Sequence, residues 1–170
     1  MSNEFASARL TLRPLAEQDA PFVLELLNTP GWLRFIGDRN LRSEADARRY
    51  IHEGPWTLRA ADGYGMWRVA LKDGDVPVGL CGLLKRDVLP QPDLGFALLP
   101  RHQGQGYAEE ASRALMAHGR KALGITRLLA ITSPDNAASG KLLRRLGFAL
   151  EGTARLPKVD EDLKLYAAAL

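Results

Sequence analysis

The sequence predicts an α/β (α+β) fold made of one domain over residues 1–170, with strands and helices packed in layers. Three observations predict it. Strand-type and helix-type periodicities follow one another as strand, two helices, three strands, helix, strand, helix, two strands, which fits neither a helical bundle nor an all-β barrel. A chain of 170 residues suits a single domain with its own core, and no repeat, low-complexity tract or Ser/Gly-rich linker divides it. The composition, 46% hydrophobic and 25% charged, is that of a globular chain and excludes disorder and collagen-like structure.

The elements follow in order. Ala8–Arg13 alternates apolar and polar residues and predicts an edge-type strand. Asp19–Leu27 carries Phe22, Val23, Leu26 and Leu27 at helical spacing, and Asn28-Thr29-Pro30-Gly31 ends that helix. Ser43-x-x-Asp46 resembles a capping box and starts a second helix to about Glu53. Gly65–Lys72 and Val76–Lys85 read as strands joined at Asp73-Gly74-Asp75, a hairpin signal. Asp93–Leu99 is a third strand in this run. Tyr107–Leu123 is the longest helix, with Tyr107, Ala111, Leu115, His118 and Ala122 on one face and Gly124 as its stop. Arg127–Thr132 is a short apolar strand. Asn136–Leu146 is a helix ended by Gly147, with Arg144 and Arg145 suiting the dipole in its last turn. Phe148–Arg155 and Leu163–Leu170 are the final strands, the last of which either completes the sheet or joins a second copy in a homodimer.

Several function classes are excluded at this level. No apolar run approaches the ~20 residues that span a bilayer, so no membrane partner is expected. The opening Met1-Ser2-Asn3-Glu4 lacks a basic, then apolar, export signal, which makes the cytoplasm the expected location. One cysteine, Cys81, and three histidines without ligand spacing, His52, His102 and His118, argue against a metal centre. Cys81 lies in Gly79-Leu80-Cys81-Gly82-Leu83, a buried-strand pattern without a partnering histidine, so covalent catalysis is not expected. His118 reads as a core histidine, and Trp32, Trp56 and Trp67 as packing residues.

Charge is uneven. Residues 1–100 carry 12 basic and 13 acidic side chains, residues 101–155 carry 9 and 4, and residues 156–170 carry 2 and 3. The middle stretch, at +5, is a field suited to an anionic ligand or to nothing more than a solvated helix face. Nucleic acid is one such anion, but no aromatics interleave the basic residues as single-strand binding favours.

The chemistry-bearing segment runs from Leu94 through Pro100 and Gly104-Gln105-Gly106 into the longest helix. Glycines there let the backbone approach a ligand, and the first-turn amides, which lack intrahelical acceptors, form a phosphate cradle with the helix dipole. Alone, Gly-x-Gly at a helix start is a weak signal, its alternative being a tight strand-to-helix turn. No Gly-Lys-Ser/Thr follows, which excludes a P-loop, and Glu109 stands where a dinucleotide fingerprint needs its third glycine.

Gln103-x-x-Gly106-x-Ala108, after a strand ending at Pro100, resembles the acetyl-CoA signature of the GNAT N-acetyltransferase superfamily. The register Arg101-x-x-Gly104-x-Gly106 also fits, but Gly-Tyr-Ala-x-Glu-Ala is the form of the RimJ/RimL branch. Arg9-Leu-x-Leu-Arg13-Pro14-Leu resembles that branch's opening strand, and Asn136-x-x-Ser139-x-x-Leu142-Leu143-x-x-Leu146-Gly147-Phe148 its second cofactor motif. The resemblance implies a mixed central sheet flanked by helices and splayed open at the cofactor. It implies that the amides of Gly104, Gln105, Gly106, Tyr107, Ala108 and Glu109, with Gln103 beside them, hold the pyrophosphate of acetyl-CoA, whose phosphates carry about four negative charges. The backbone of Phe96, Ala97 and Leu98 would pair with pantetheine, and a free amide near Leu98 would stabilise the oxyanion. Asn136 would contact the cofactor, or merely cap its helix. Lys141, Arg144 or Arg145 would reach the 3′-phosphate or lie on a solvated face. The loop Thr29–Arg42, with Trp32, Arg34, Asp38 and Arg39, would shape the acceptor site.

The chain departs from the family at the reacting end. Leu143 stands where many members have an acidic tyrosine, and Ile131 where others have a basic glutamate. Ser139 is the candidate substitute acid, its alternative role being a small residue that lets the helix approach. Asp93 is the candidate water-mediated base, its alternative an exposed turn carboxylate. Deprotonating a lysine-type amine at pH 7 costs about 4.6 kcal/mol, an α-amine only about 1. A site without a strong base therefore favours a peptide N-terminus or another low-pKa amine. The expected activity is direct acetyl transfer from acetyl-CoA to such an amine, without a metal. The alternatives are an acyl-CoA sensor without turnover and, less favoured, a nucleic-acid-binding protein.

Overall fold

A computed structural model describes residues 4–58 and 61–170; the opening residues 1–3, read above for an export signal, lie outside the described residues. In chain order the elements are β1 (Phe5–Ala6), β2 (Leu10–Pro14), α1 (Ala20–Leu27), α2 (Pro30–Phe35), α3 (Glu44–Glu53), β3 (Gly65–Leu71), β4 (Pro77–Leu84), β5 (Asp93–Leu98), α4 (Tyr107–Leu123), β6 (Arg127–Thr132), α5 (Ala137–Arg145), β7 (Ala149–Ala154) and β8 (Leu163–Ala169). The strands form an eight-stranded sheet in the order β1-β2-β3-β4-β5-β6-β8-β7. Every neighbouring pair is antiparallel except β5–β6, whose parallel relation requires the crossover that α4 supplies. Leu163–Leu170 thus contributes β8 inside this sheet, between β6 and β7.

Helices cover both faces, and strand alternation sorts the apolar residues between them. On one face Leu10, Leu12, Trp67, Val69 and Leu83 pack with Leu115 of α4, Leu142 and Leu143 of α5, and Leu146 just past its end. On the other, Met66, Leu80 and Leu84 pack with Phe22, Val23, Leu26 and Leu27 of α1, Trp32 of α2, and Ala47 and Ile51 of α3. β4 is buried on both sides, which explains its nearly unbroken apolar run.

Two expectations are corrected. Thr29-Pro30 does not only end α1; it begins α2, because Thr29 Oγ1 accepts from the Trp32 amide and Pro30 occupies the first turn, where its missing N–H costs nothing. β2 is not the edge strand, since the two-residue β1 lies outside it. Elsewhere local signals held. Ser43 and Asp46 form the capping box reciprocally, each side chain accepting from the other's amide at 3.1 Å. Gly124 and Gly147 take left-handed conformations just after their helices.

His118 is half-buried, stacked on Phe5 at 4.9 Å and edge-on to Trp67, and burial lowers its pKa, as befits a packing histidine. Ala122, expected on the same buried face, is exposed. Cys81 is buried, 3.7 Å from Ser112 Oγ, and burial pushes its pKa to about 12. Among the described residues no helix is long and apolar enough to cross a membrane, and no group of three or more His, Cys, Asp or Glu could hold a metal ion.

β4 approaches its neighbours closely where it lacks side chains. A Cβ on Gly82 would stand 2.2 Å from the Gly65 carbonyl oxygen, a backbone atom that cannot turn aside. Gly82→Ala is expected to cost about 1–3 kcal/mol of stability, read as a lower urea midpoint with an unchanged slope.

Candidate active site

The site begins where the sheet parts. On one side β5 is paired with β4 along its whole length, from Asp93↔Leu84 to Leu98↔Gly79. On the other it meets β6 at one register pair, Asp93↔Leu129, with the Leu129 amide donating to the Pro92 carbonyl at 2.9 Å. Beyond that point the two strands diverge into a wedge. The Leu99 amide donates to Val78 of the strand on the closed side. Main-chain groups alternate sides along an antiparallel ladder, so those of Ala97 face β4 while those of Phe96 and Leu98 face the wedge. The expected pantetheine-pairing segment is therefore corrected at Ala97, whose main chain is directed at Leu80. The wedge-facing amide expected at Leu98 is one of two.

At the end of β5 a short 3-10 turn, Pro100–His102, leads into Gly104 and Gly106, with φ of 76° and 82°. Both values lie in the left-handed region that glycine tolerates. A Cβ on Gly104 would meet nothing within 4 Å, so the loop presents bare backbone to open space. Gly106 caps α4 without a side-chain bond, leaving the amides of Tyr107, Ala108 and Glu109 without intrahelical acceptors. Gln103 plays a different part: its amide donates to Pro100 at 3.2 Å and its side chain to the Leu98 carbonyl at 3.4 Å, holding the loop against the strand. Gln105 is bound through its side chain to Arg101 and the Tyr107 hydroxyl.

A residue from the far end of the chain fixes this loop. Arg9 Nη1 donates to the Gln105 carbonyl at 3.0 Å, its Nε to Glu110 at 2.7 Å, and its guanidinium lies 4.6 Å from the centre of the Tyr107 ring. Ser7 Oγ and the Arg9 amide also donate to Glu110. Burial alone would raise the Glu110 pKa, but these bonds outweigh it and lower it. Glu109 is likewise lowered, first by its bond from Arg113 and then by Arg145. Arg113 also donates to the Arg145 carbonyl at 2.9 Å, so the end of α5 is clamped to the start of α4. Neither carboxylate in the first turn of α4 is left uncompensated. The resemblance brought Arg9 into the opening strand without a role; its partners lie about a hundred positions away, so no local pattern could reveal them.

Of the residues in the second motif, Asn136 caps α5, its Oδ1 accepting from the Ser139 amide at 3.3 Å. The Ser139 side chain is half-buried, and its hydroxyl has no hydrogen-bond partner among the described residues. Leu143 is fully buried and Ile131 half-buried.

Asp93 is not an exposed turn carboxylate. It is 1% exposed, at the bottom of the wedge, and accepts from Arg86 Nε at 3.1 and 3.2 Å. Burial pushes its pKa above the ordinary carboxylate range, with Arg86 opposing. It shares strand parity with Ala97, which packs among the α1–α3 residues, so its side chain points to that face. Arg86 also lies 5.3 Å from the centre of the Trp56 ring, Arg39 lies 4.7 Å from it, and Trp32 approaches it at 6.2 Å. Trp32 Nε1 and Arg39 Nε are shut from solvent without an acceptor among the described residues, an omission that costs about 1–3 kcal/mol for each such donor. The loop Thr29–Arg42 crosses to the far leg of the wedge: Arg34 pairs with Asp135 at 2.6 Å, and Ser133 Oγ donates to the Phe35 carbonyl. The roles of Arg86 and Trp56 were not legible in the sequence, because neither belongs to a motif.

This arrangement has recognisable relatives. Residues 9–149 match the family model described as Acetyltransferase (GNAT) domain. The uncharacterized N-acetyltransferase YoaA of Bacillus subtilis is 28% identical over 151 residues, covering 86% of this chain and 83% of that protein. The ribosomal-protein-serine acetyltransferase of Escherichia coli is 28% identical over 141 residues, covering 80% and 74%. Among solved structures, RimL, the ribosomal L7/L12 alpha-N-protein acetyltransferase in complex with coenzyme A, superposes with a TM-score of 0.79 at 25% identity, covering 96% of each chain. A GNAT acetyltransferase from Bacillus anthracis shares the fold, with a TM-score of 0.80 at 23% identity over 98% of each chain. With its split sheet, its glycine cradle and a match over most of its length, the chain belongs to the GNAT acetyltransferase family, as an N-acetyltransferase with RimL-like relatives.

Proposed function

We propose that this N-acetyltransferase moves an acetyl group from acetyl-CoA directly to a primary amine in the cytoplasm, with a peptide or protein N-terminal α-amine favoured over small-molecule amines. The observation that carries the reading is the wedge: two main-chain amides of a rigid strand, at Phe96 and Leu98, turned away from the sheet and continuous with the bare backbone of Gly104–Gly106. The name of RimL, an alpha-N-protein acetyltransferase, supports the N-terminal preference, and that of the E. coli relative, a ribosomal-protein-serine acetyltransferase, supports a protein acceptor.

The residues fit the cofactor. The open space above Gly104 and the acceptor-free amides through Glu109 suit a pyrophosphate. Arg145 is engaged by Glu109, which leaves Lys141 and Arg144 for the 3′-phosphate. Bound there, acetyl-CoA supplies the activated acyl group. The chain's own groups do the rest. The Leu98 amide donates to the thioester carbonyl oxygen in the wedge, and the Phe96 amide, one strand repeat away on the same side, pairs with the pantetheine arm. Asn136 orders the start of α5, so that the unpartnered Ser139 hydroxyl can donate a proton to a departing thiolate. Asp93, made a better proton acceptor by burial, takes a proton from the incoming ammonium through water.

The direct test is thiol release from acetyl-CoA with a panel of N-terminal peptides and small amines. Release with peptides supports the proposal, whereas binding without release on any amine makes the chain an acyl-CoA sensor. Gly104→Val is expected to weaken CoA at least tenfold by calorimetry, since the side chain both fills the cradle and strains the turn. Asp93→Asn is expected to lower kcat about a hundredfold with CoA affinity unchanged. Because Asp93 acts deprotonated and its pKa is raised, the wild-type rate should fall with decreasing pH earlier than for an ordinary carboxylate base, and the variant should lose that limb. Cys81→Ala is expected to keep most activity; a loss above about a hundredfold with the fold intact would require a covalent route.

A further inference from the structure

We infer that the acceptor carries a carboxylate close to its amine, and that Arg39 receives it. The inference rests on the transferase reading above and adds a substrate class to it.

The arginines around the acceptor loop are nearly all committed to carboxylates. Arg34 is paired with Asp135, Arg42 with Asp38, Arg101 with Glu25 and Arg86 with Asp93. Arg39 is the exception: among the described residues it forms no ion pair, and its polar partner is the Tyr50 side chain, with which it is hydrogen-bonded. Its neighbours are the face of Trp56, at 4.7 Å, and the Tyr50 side chain. It is half-buried, and its Nε is closed off without an acceptor. A partly desolvated cation without a counter-ion is unfavourable, and an anion brought by a bound molecule relieves it. Contact with the Trp56 ring at 4.7 Å restrains the guanidinium, whose fork of donors matches a carboxylate.

Its position connects it to the reaction. The Trp56 ring also has Arg86 beside it, 5.3 Å from its centre, and the partner of Arg86, Asp93, stands at the bottom of the wedge. The helix just before Arg39 reaches the other leg through Arg34–Asp135. Arg39 therefore stands in the wall through which an amine comes to the thioester. Two sources offer the required chemistry: the side chain of an acidic residue near a peptide N-terminus, or the α-carboxylate of a free amino acid.

The test compares two matched pairs of acceptors: serine-first peptides with glutamate or glutamine second, and serine against serinamide. Wild-type enzyme should favour the charged member of one pair by about tenfold in kcat/KM, expressed mainly in KM. A preference confined to the peptides identifies an acidic N-terminus, and one confined to serine identifies a free amino acid. Arg39→Gln should bring that ratio close to one, and Arg39→Lys should retain part of it. A purely structural arginine would lower both members equally and leave the ratio intact, which overturns the inference, as does the lack of any preference in the wild type. Should no amine be acetylated, the transferase reading fails by itself. Calorimetry with N-acetylated Ser-Glu and Ser-Gln peptides then decides: tighter binding of the glutamate peptide that disappears in Arg39→Gln upholds the role of Arg39, and equal binding refutes it.

Discussion

The site depends on one interruption in backbone pairing. A strand buried in a sheet normally satisfies its amides and carbonyls on both sides, because leaving them unpaired away from water is costly. β5 does so on the β4 side and, after Asp93↔Leu129, not on the β6 side. The amides of Phe96 and Leu98 are thereby left open on the wedge side. The wall that presents them is stiff: it is locked to β4 over six residues, and β4 is pressed against both neighbours at Gly79 and Gly82, where no side chain would fit. A recognition surface made of strand backbone needs no side-chain ordering on binding, which limits its entropic cost.

Electrostatics around the cradle differ from what a residue count suggests. Residues 101–155 carry a formal excess of five positive charges, but most of their cations are engaged. Arg101 is paired with Glu25, Arg113 and Arg145 with Glu109, Arg127 with Glu151, and Arg155 with Asp160 and Asp162. Arg120, Lys121, Lys141 and Arg144 remain without a carboxylate partner among the described residues. The attraction for an anion is therefore local and arises from the helix terminus and its open amides more than from the segment's sum. The two glutamates of the first turn, which would repel phosphate if bare, instead anchor the arginines that fix the loop.

Most of the fold was legible because its information is local. Period-two and period-3.6 patterns located β3–β8, α1 and α3–α5, and glycines marked the ends of α4 and α5. The misreadings share a cause, namely that the deciding contact is remote. Pro30 is a stop or a start depending on whether Thr29 is free to cap, and Asp93, at the entrance of its strand, reads as an exposed carboxylate until packing buries it against Arg86. Phe5–Ala6 is too short to show a period and is a strand only because β2 accepts it. The cradle was legible from its glycines and the strand before it. Arg9, which secures it, was not, since its partner Glu110 is distant in sequence. Which of Phe96, Ala97 and Leu98 face the wedge is a matter of parity, settled only by the register with β4.

The division between the two faces of the sheet bears on mechanism. In the proposed site the cradle and its clamp belong to α4 and α5 and the acceptor wall to α1–α3, and β5 is where they meet. One strand turns its backbone into the wedge at Phe96 and Leu98 and its Asp93 side chain towards the acceptor wall. Donor and acceptor can therefore be held against a single rigid element, and proximity gives a direct transfer much of its advantage. A relay through a thiol has no comparable support. Cys81 lies on the neighbouring strand, buried, and burial pushes its pKa up to about 12, so the thiol stays protonated at neutral pH. In the proposed reaction, attack by the amine itself, with its proton passing towards Asp93, is the shorter path through this architecture.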